Sequence, residues 1–381
     1  MASERSYFDW NATAPLRAEA RAAMLAALGR PGNASSVHGE GRAARALVDA
    51  ARRQVASLVG ADAKDVTFLS GATEAHALAL QPGIADRLFV SAIEHPSVLA
   101  GGRFAPEQVE ILAVDGNGIV VLDGLAHALE KSERPLVSVM LANNETGVVQ
   151  PIADIARVVH GANGLLHVDA VQAAGRIPVD MRALGADLMS LSSHKLGGPQ
   201  GAGALVARTG LSLTPTIRGG GQERGLRSGT ENVAAIAGFG AAAEAAHAAL
   251  ALDAQRMAAL RDRLEAGLRE ATPDAVIFSA GVDRLPNTTL VALSGIKAET
   301  ALIAFDLNGF AVSSGAACSS GKVAASHVLA AMGVEPALAR SAIRISLGPT
   351  TTESEVERLL IAWKRLVPSL LKGQSNHHLA A

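Results

Sequence analysis

An α/β fold with a largely parallel sheet is the class this sequence predicts, and two observations lead to it. Short apolar runs of strand length alternate with helical patterns along the chain. Polar clusters fall just past the carboxyl ends of those runs, which is where open α/β sheets bind ligands. With 381 residues, 49% of them hydrophobic, the chain can bury a substantial core and divide into roughly two domains.

Taken in order, Leu47, Ala51, Val55 and Leu58 share one face of a helix, and a turn at Gly60 to Lys64 leads into the strand VTFL at 66–69. Further strands are predicted at 88–92 (LFVSA), 136–141 (LVSVML), 165–168 (LLHV), 187–191 (DLMSL) and 204–207 (ALVA). SGATEA, IEHPS, NNETG, DAVQ and SSHK stand at five of the strand ends, so one shared site is expected there. The Ala-rich run near 233–253, interrupted by Glu244 and His247, reads as a packed helix that falls short of a membrane span. The helical pattern at 257–271 marks the passage into a second domain. A large α/β domain is expected over 15–255, a smaller α+β domain over 1–14 and 256–370, and a disordered tail over 371–381.

Composition excludes several function classes. The 34 basic residues against 36 acidic ones leave no footprint for nucleic acid or for an anionic membrane. The opening MASERSYFDW lacks the apolar core of a signal peptide, so a cytoplasmic location is expected. The single cysteine, Cys318, can form neither an internal disulfide nor a cysteine-rich zinc site, which fits a reducing compartment.

Three clusters carry recognisable chemistry. In FLSGATEA the chain runs from a strand through Gly71 into a helical pattern, so Ala72, Thr73 and the first helix amides can hold a phosphate; a plain N-cap is the alternative. In LLHVDAVQ, Asp169 ends an apolar strand, where a carboxylate is costly unless a positive partner meets it; a surface turn is the alternative. In LMSLSSHKLGGPQGAG, a strand delivers Ser192, Ser193, His194 and Lys195 into a Gly-rich loop, and Lys195 is either a solvated amine or one that forms a Schiff base with a carbonyl cofactor. A lysine for an aldehyde, an acid for a pyridinium nitrogen and a phosphate cup at a helix start are together what pyridoxal 5'-phosphate requires. His95, at another strand end, has the shape to stack on the cofactor ring, the alternative being a satisfied core histidine.

HVDAVQ, SSHKLGGPQG, GGGQERGLRSGTEN and SSGAACSSGK, in this order and at these separations, resemble the cysteine desulfurases, pyridoxal-phosphate enzymes of the class V aminotransferase superfamily. The likeness runs from about Tyr7 to about Thr352. It implies a type I pyridoxal-phosphate transferase fold, with a seven-stranded sheet in the large domain. Lys195 would be the Schiff-base lysine, Asp169 the pyridinium partner and His95 the stacking residue that shuttles protons. Gln172 and Asn144 would touch the phenolic oxygen, and Thr73, Ser192 and His194 the phosphate. Thr230, from a neighbouring subunit, would complete that cup, which implies a homodimer. Arg344 would clamp the carboxylate of L-cysteine, with Asn11 and Asn144 as further substrate contacts.

The resemblance makes Cys318 the nucleophile that takes sulfur from the substrate as a persulfide and delivers it to an acceptor protein, for example in iron–sulfur cluster assembly. Gly315, Gly321 and four serines around it suit a loop that moves. Ala14, Ala316 and Gln200 differ from the usual family residues, as do His76 and Ala77, which stand where a pair of Asn is common. A selenocysteine lyase, another class V enzyme such as an aminotransferase, and a non-catalytic scaffold of the same fold are the alternative functions.

Overall fold

The computed structural model describes residues 5–314 and 326–378. Its strands are β1 (Ser6–Tyr7), β2 (Val66–Leu69), β3 (Arg87–Ser91), β4 (Val109–Leu112), β5 (Pro135–Met140), β6 (Leu165–Asp169), β7 (Leu188–Ser192), β8 (Gly203–Ala207), β9 (Val276–Ile277), β10 (Thr288–Ala292), β11 (Phe310–Ala311) and β12 (Ile343–Ser346). Seven of them form the central sheet in the order β2-β8-β7-β6-β5-β3-β4. The sheet is α/β and mostly parallel as expected, with β8 alone running against both its neighbours.

Alternation along each strand feeds two cores, because successive side chains point to opposite faces. Phe89, Val137, Val139, Val168 and Val206 enter one core. Leu88, Val90, Leu136 and Leu205 enter the other. The first is covered by the helices Gly39–Leu58 and Val233–Ala271, and the Phe68 and Phe239 rings meet edge-on at 6.2 Å. Burying such a ring contributes about 2–3 kcal/mol. All six expected strands are present, shifted by one residue at most at either end. β4 is an addition: Val109 to Leu112 is only partly buried at the sheet edge, so its apolar signal is weak.

The C-terminal part builds a further core from Leu260, Leu264, Phe305, Val356 and Trp363, with the Phe305 and Trp363 rings stacked at 5.8 Å. Phe8 belongs to this core, and β1 pairs in parallel with β11. The Ala-rich run and the 257–271 pattern prove to be one helix of 39 residues, Val233–Ala271. Its first half packs into the sheet's core through Ala235, Phe239 and Ala243, and its second half into the C-terminal core through Leu260, Leu264 and Leu268. By length and apolarity alone this helix could cross a membrane, contrary to the sequence expectation, and half of its most apolar window is buried inside the protein. Of the tail expected to be disordered over 371–381, the residues through His378 continue the final helix, Glu353–His378, which runs past Pro368, and 379–381 lie outside the described residues.

Candidate active site

The carboxyl ends of β2, β3, β5, β6 and β7 meet at one cavity of about 710 Å³. Thr73, His95, Asn144, Asp169, Gln172 and Lys195 line it, and so do Ala72, Ser192, His194, Asn11 and Arg344. The structure therefore gathers every described residue predicted for the site except Thr230. Thr230 is exposed beside a second cavity of about 260 Å³, which shares Ser70 and Gly201 with the first. Cys318 lies outside the described residues.

Asp169 is the last residue of β6 rather than the first of a loop, so its carboxylate is rooted in the buried sheet. Burial pushes its carboxyl up, yet the His76 ring at 3.3 Å and the Val171 N–H at 2.9 Å outweigh that and hold it at about 2. A carboxylate so held stays ionised at any ordinary pH. His167 beside it is pushed down to about 3 by burial and by His76, and is neutral there.

Lys195 ends a single 3₁₀ turn after β7. Its Nζ donates to the main-chain oxygens of Asn11 (2.7 Å) and Ala12 (2.8 Å). Burial and the cations Arg176 and Arg344 bring the amine down to about 7. A lysine poised there is a nucleophile and a proton carrier at neutral pH.

The segment Asp9 to Thr13 straps the site. Asn11 is buried, its side-chain amide donating to the Asn144 oxygen (3.1 Å) and the Thr288 hydroxyl (2.9 Å) and accepting from Asn287 (3.1 Å). Its main-chain oxygen also accepts from Gln172 at 3.0 Å. Thr13 faces His194 Nδ1 at 3.1 Å. Burial, then Lys195 and Arg176, push His194 down to about 4, so its ring is neutral. Arg344, on β12, donates to the Asn144 oxygen at 3.0 Å and to Asp9 at 2.7 Å, while its Nε is buried with no partner among the described residues.

At the β2 end, Gly71 leads into the helix Ala72–Ala79, where Thr73 is exposed. β8 begins against it: a Cβ on Gly203 would lie 2.6 Å from the Gly71 Cα, so only glycine permits this approach. Glu74 accepts from the Ser70 N–H at 2.7 Å and from Arg227 at 3.1 Å, which ties the helix start to the Gly-rich 219–232 segment. That segment is anchored by Glu223, which meets Arg52 in two bonds of 2.7 Å and accepts from the Phe68 N–H at 2.9 Å.

Sequence reasoning missed Arg52, Arg176 and the structural part played by Glu223. It noticed His76 only as a departure. The signal for Glu223 was available in its place between glycines; its partner, 171 residues away, was not. Among the described residues no cluster is fit for a metal ion.

The donor set fits pyridoxal phosphate. It offers a partly buried amine brought down to about 7, a carboxylate fixed as an anion on the cavity wall, and a hydroxyl on the first turn of a helix beside a glycine-lined approach.

Residues 6–359 match the model of the aminotransferase class-V family. A cysteine desulfurase of Cereibacter sphaeroides is 44% identical over 379 residues, covering 96% of this chain and 97% of that protein. The X-ray structure of a NifS-like protein from Rickettsia africae ESF-5 superposes with a TM-score of 0.89 at 37% identity, over 96% of this chain and 100% of its own. SspA, solved in complex with cysteine, gives a TM-score of 0.77 at 29% identity over 91% of this chain and 99% of its own. With a match along nearly its whole length in both sequence and structure, the chain belongs to the class-V aminotransferase family, among its cysteine desulfurases.

Proposed function

We infer that this chain is a pyridoxal-phosphate-dependent cysteine desulfurase that converts L-cysteine to L-alanine and takes the sulfur onto Cys318 as a persulfide. What carries the inference is the convergence on one cavity of a lysine brought to about 7, a carboxylate held at about 2 and a buried arginine with an N–H unpartnered among the described residues. SspA's complex with cysteine supports the substrate.

Lys195 would hold the cofactor aldehyde, Asp169 would keep a proton on the ring nitrogen, and His95 would lie over the ring. Ala72, Thr73, Ser192 and His194 would take the phosphate end, with Thr230 of a neighbouring subunit completing the cup. Gln172 and Asn144 would face the phenolic oxygen. When bound, pyridoxal phosphate supplies an electron sink that loosens the substrate's bonds around Cα and Cβ.

The remaining work falls to the protein. Arg344 receives the substrate carboxylate through its free Nε, since Asp9 and the Asn144 oxygen already take its other two nitrogens. Lys195, half-protonated near pH 7, moves a proton at the substrate's Cα. The Cys318 thiolate attacks the substrate Sγ, so that an S–S bond forms and the Cβ–S bond breaks. The electron pair of the broken bond goes to Cβ, which takes a proton and becomes the methyl group of alanine. L-cysteine and a protein thiol thus give L-alanine and a protein persulfide, ready for an acceptor protein such as an iron–sulfur assembly scaffold.

Purified, cofactor-loaded chain given L-cysteine and a thiol reductant should release sulfide and alanine in equal amounts, and a Cys318→Ser variant neither. Alanine release that survives in Cys318→Ser would overturn the role given to that thiol. Silence of both proteins would overturn the substrate.

A further inference from the structure

Asp169 and His95, which come from different strand ends, are connected through two hydrogen bonds at Ser97 and one charge contact at His76 whose geometry falls short of a hydrogen bond. Asp169 Oδ2 lies 3.3 Å from His76 Nε2. His76 Nδ1 lies 2.8 Å from the Ser97 hydroxyl, and the same hydroxyl lies 2.7 Å from His95 Nδ1. His76 is 1% exposed, whereas His95 stands at the cavity wall with its Nε2 free of protein partners among the described residues.

We propose that Asp169, His76, Ser97 and His95 form a proton relay, in which a proton taken up at His95 Nε2 in the cavity is answered by transfer of the His95 Nδ1 proton through Ser97 to His76 Nδ1. Ser97 has one hydroxyl proton, so the line has two consistent arrangements. With His76 neutral, its Nε2–H faces Asp169, Ser97 donates to His76 Nδ1, and His95 donates its Nδ1–H to Ser97. With His76 charged, His76 donates to Ser97 and Ser97 donates to a bare His95 Nδ1. The Ser97 main-chain N–H donates to His95 Nδ1 at 3.2 Å, a bond that belongs to this second arrangement and is given up in the first. The proton count balances: His95 gains one proton at Nε2 and loses one at Nδ1, and the charge comes to rest on His76.

The surroundings disfavour charge on His95. Burial pushes His95 down against the pull of Asp169, and His76, Lys195 and His327 add smaller pushes in the same direction as burial. His76 has the Asp169 carboxylate in direct contact. The other groups that face the line are neutral or distant from its anion: His167 meets the His76 ring edge-on at 5.5 Å and is neutral, burial and Asp169 push the Glu94 carboxyl well up, and His327 Nε2 is held by the Glu94 main-chain oxygen at 2.9 Å. His167 is in turn fixed between the Ser138 and Ser190 hydroxyls, each at 2.8 Å, so it takes no part in the line. His76 and Ser97 are thus positioning residues that let His95 act as an acid or base while remaining uncharged itself.

The use made of the carried proton rests on the desulfurase reading, but the relay does not. It is read directly from the ring nitrogens by long-range ¹H–¹⁵N spectra of the cofactor-loaded full chain carrying ¹⁵N-histidine, recorded across a pH titration. The expected result is that His76 goes to the doubly protonated form and His95 exchanges its Nδ1–H for an Nε2–H tautomer with one common midpoint. In Ser97→Ala, which retains both rings and Asp169, the two events should separate by about 1 pH unit or more. Separate midpoints in the parent protein, or a His76 ring that keeps one form while His95 titrates alone, would overturn the relay whether or not any variant folds. Failure of sulfide release with the common midpoint intact would count against the desulfurase reading only.

Discussion

At the scale of single residues, the site is a set of side chains whose ionisation is set by neighbours. Asp169 stays an anion because His76 and the Val171 N–H outweigh its burial; Lys195 comes down to about 7 because burial and two arginines act together. The lysine has a consequence for stability. In the cofactor-free chain the folded amine releases its proton at about 7, the unfolded one at its ordinary 10.5. Between these values the unfolded state binds more protons, so folding stability rises with pH across that window, and below it the whole cost of the buried charge is felt. Lys195→Met should therefore be stabilised over the parent most strongly below pH 7, with the gap closing toward pH 10; denaturant midpoints measured at several pH values check this, and a gap independent of pH would contradict it. The types and places of Lys195 and Asp169 were legible in the sequence, because a charged residue ending an apolar strand is an anomaly that asks for a partner. The partners were not. Ser97 and His76 are 21 residues apart and meet only through the packing of two short helices, which no local pattern announces.

At the scale of elements, function depends on where strands stop. β2, β3, β5, β6 and β7 each hand a polar cluster to the cavity, and this was readable from periodicity because these strands are buried apolar runs with abrupt polar ends. The antiparallel course of β8 was not readable. It shows only in Gly203, which must lack a side chain to pass Gly71. The Gly-rich 219–232 segment likewise gains its shape from distant residues, with Glu223 and Arg224 both at positive φ and Glu223 gripped by buried Arg52. Glu223→Ala would leave the Arg52 guanidinium buried and unpaired, and a loss of about 3–5 kcal/mol is expected in urea unfolding. A loss below about 1 kcal/mol would show the grip to be no better than an exposed pair.

At the scale of the whole molecule, the N-terminal strap and the C-terminal part both line the sheet's cavity, the first through Asp9, Asn11, Ala12 and Thr13 and the second through Ser313 and Arg344. Asp9 and Asn11 join β12, β10 and the β7 end through Arg344, Thr288 and Lys195, and Arg344 is held from two distant parts of the chain, at Asp9 and at Asn144. Thr230 sits outside the cavity of its own chain, as a residue that serves a neighbouring subunit would. The chain should sediment at twice its 38.8 kDa mass. Mixing inactive Lys195→Ala with weakened Thr230→Ala subunits should restore sites in which one chain supplies the lysine and the other the threonine. A monomer, or no recovery on mixing, would contradict the shared site.

The central claim is that sulfur leaves L-cysteine as a persulfide on Cys318. Mass spectrometry of the peptide carrying Cys318, after one turnover without reductant, tests it most directly. One added sulfur on that peptide, released by a thiol reductant and absent from Lys195→Ala, is the result this account predicts. An unmodified peptide while alanine accumulates would contradict it.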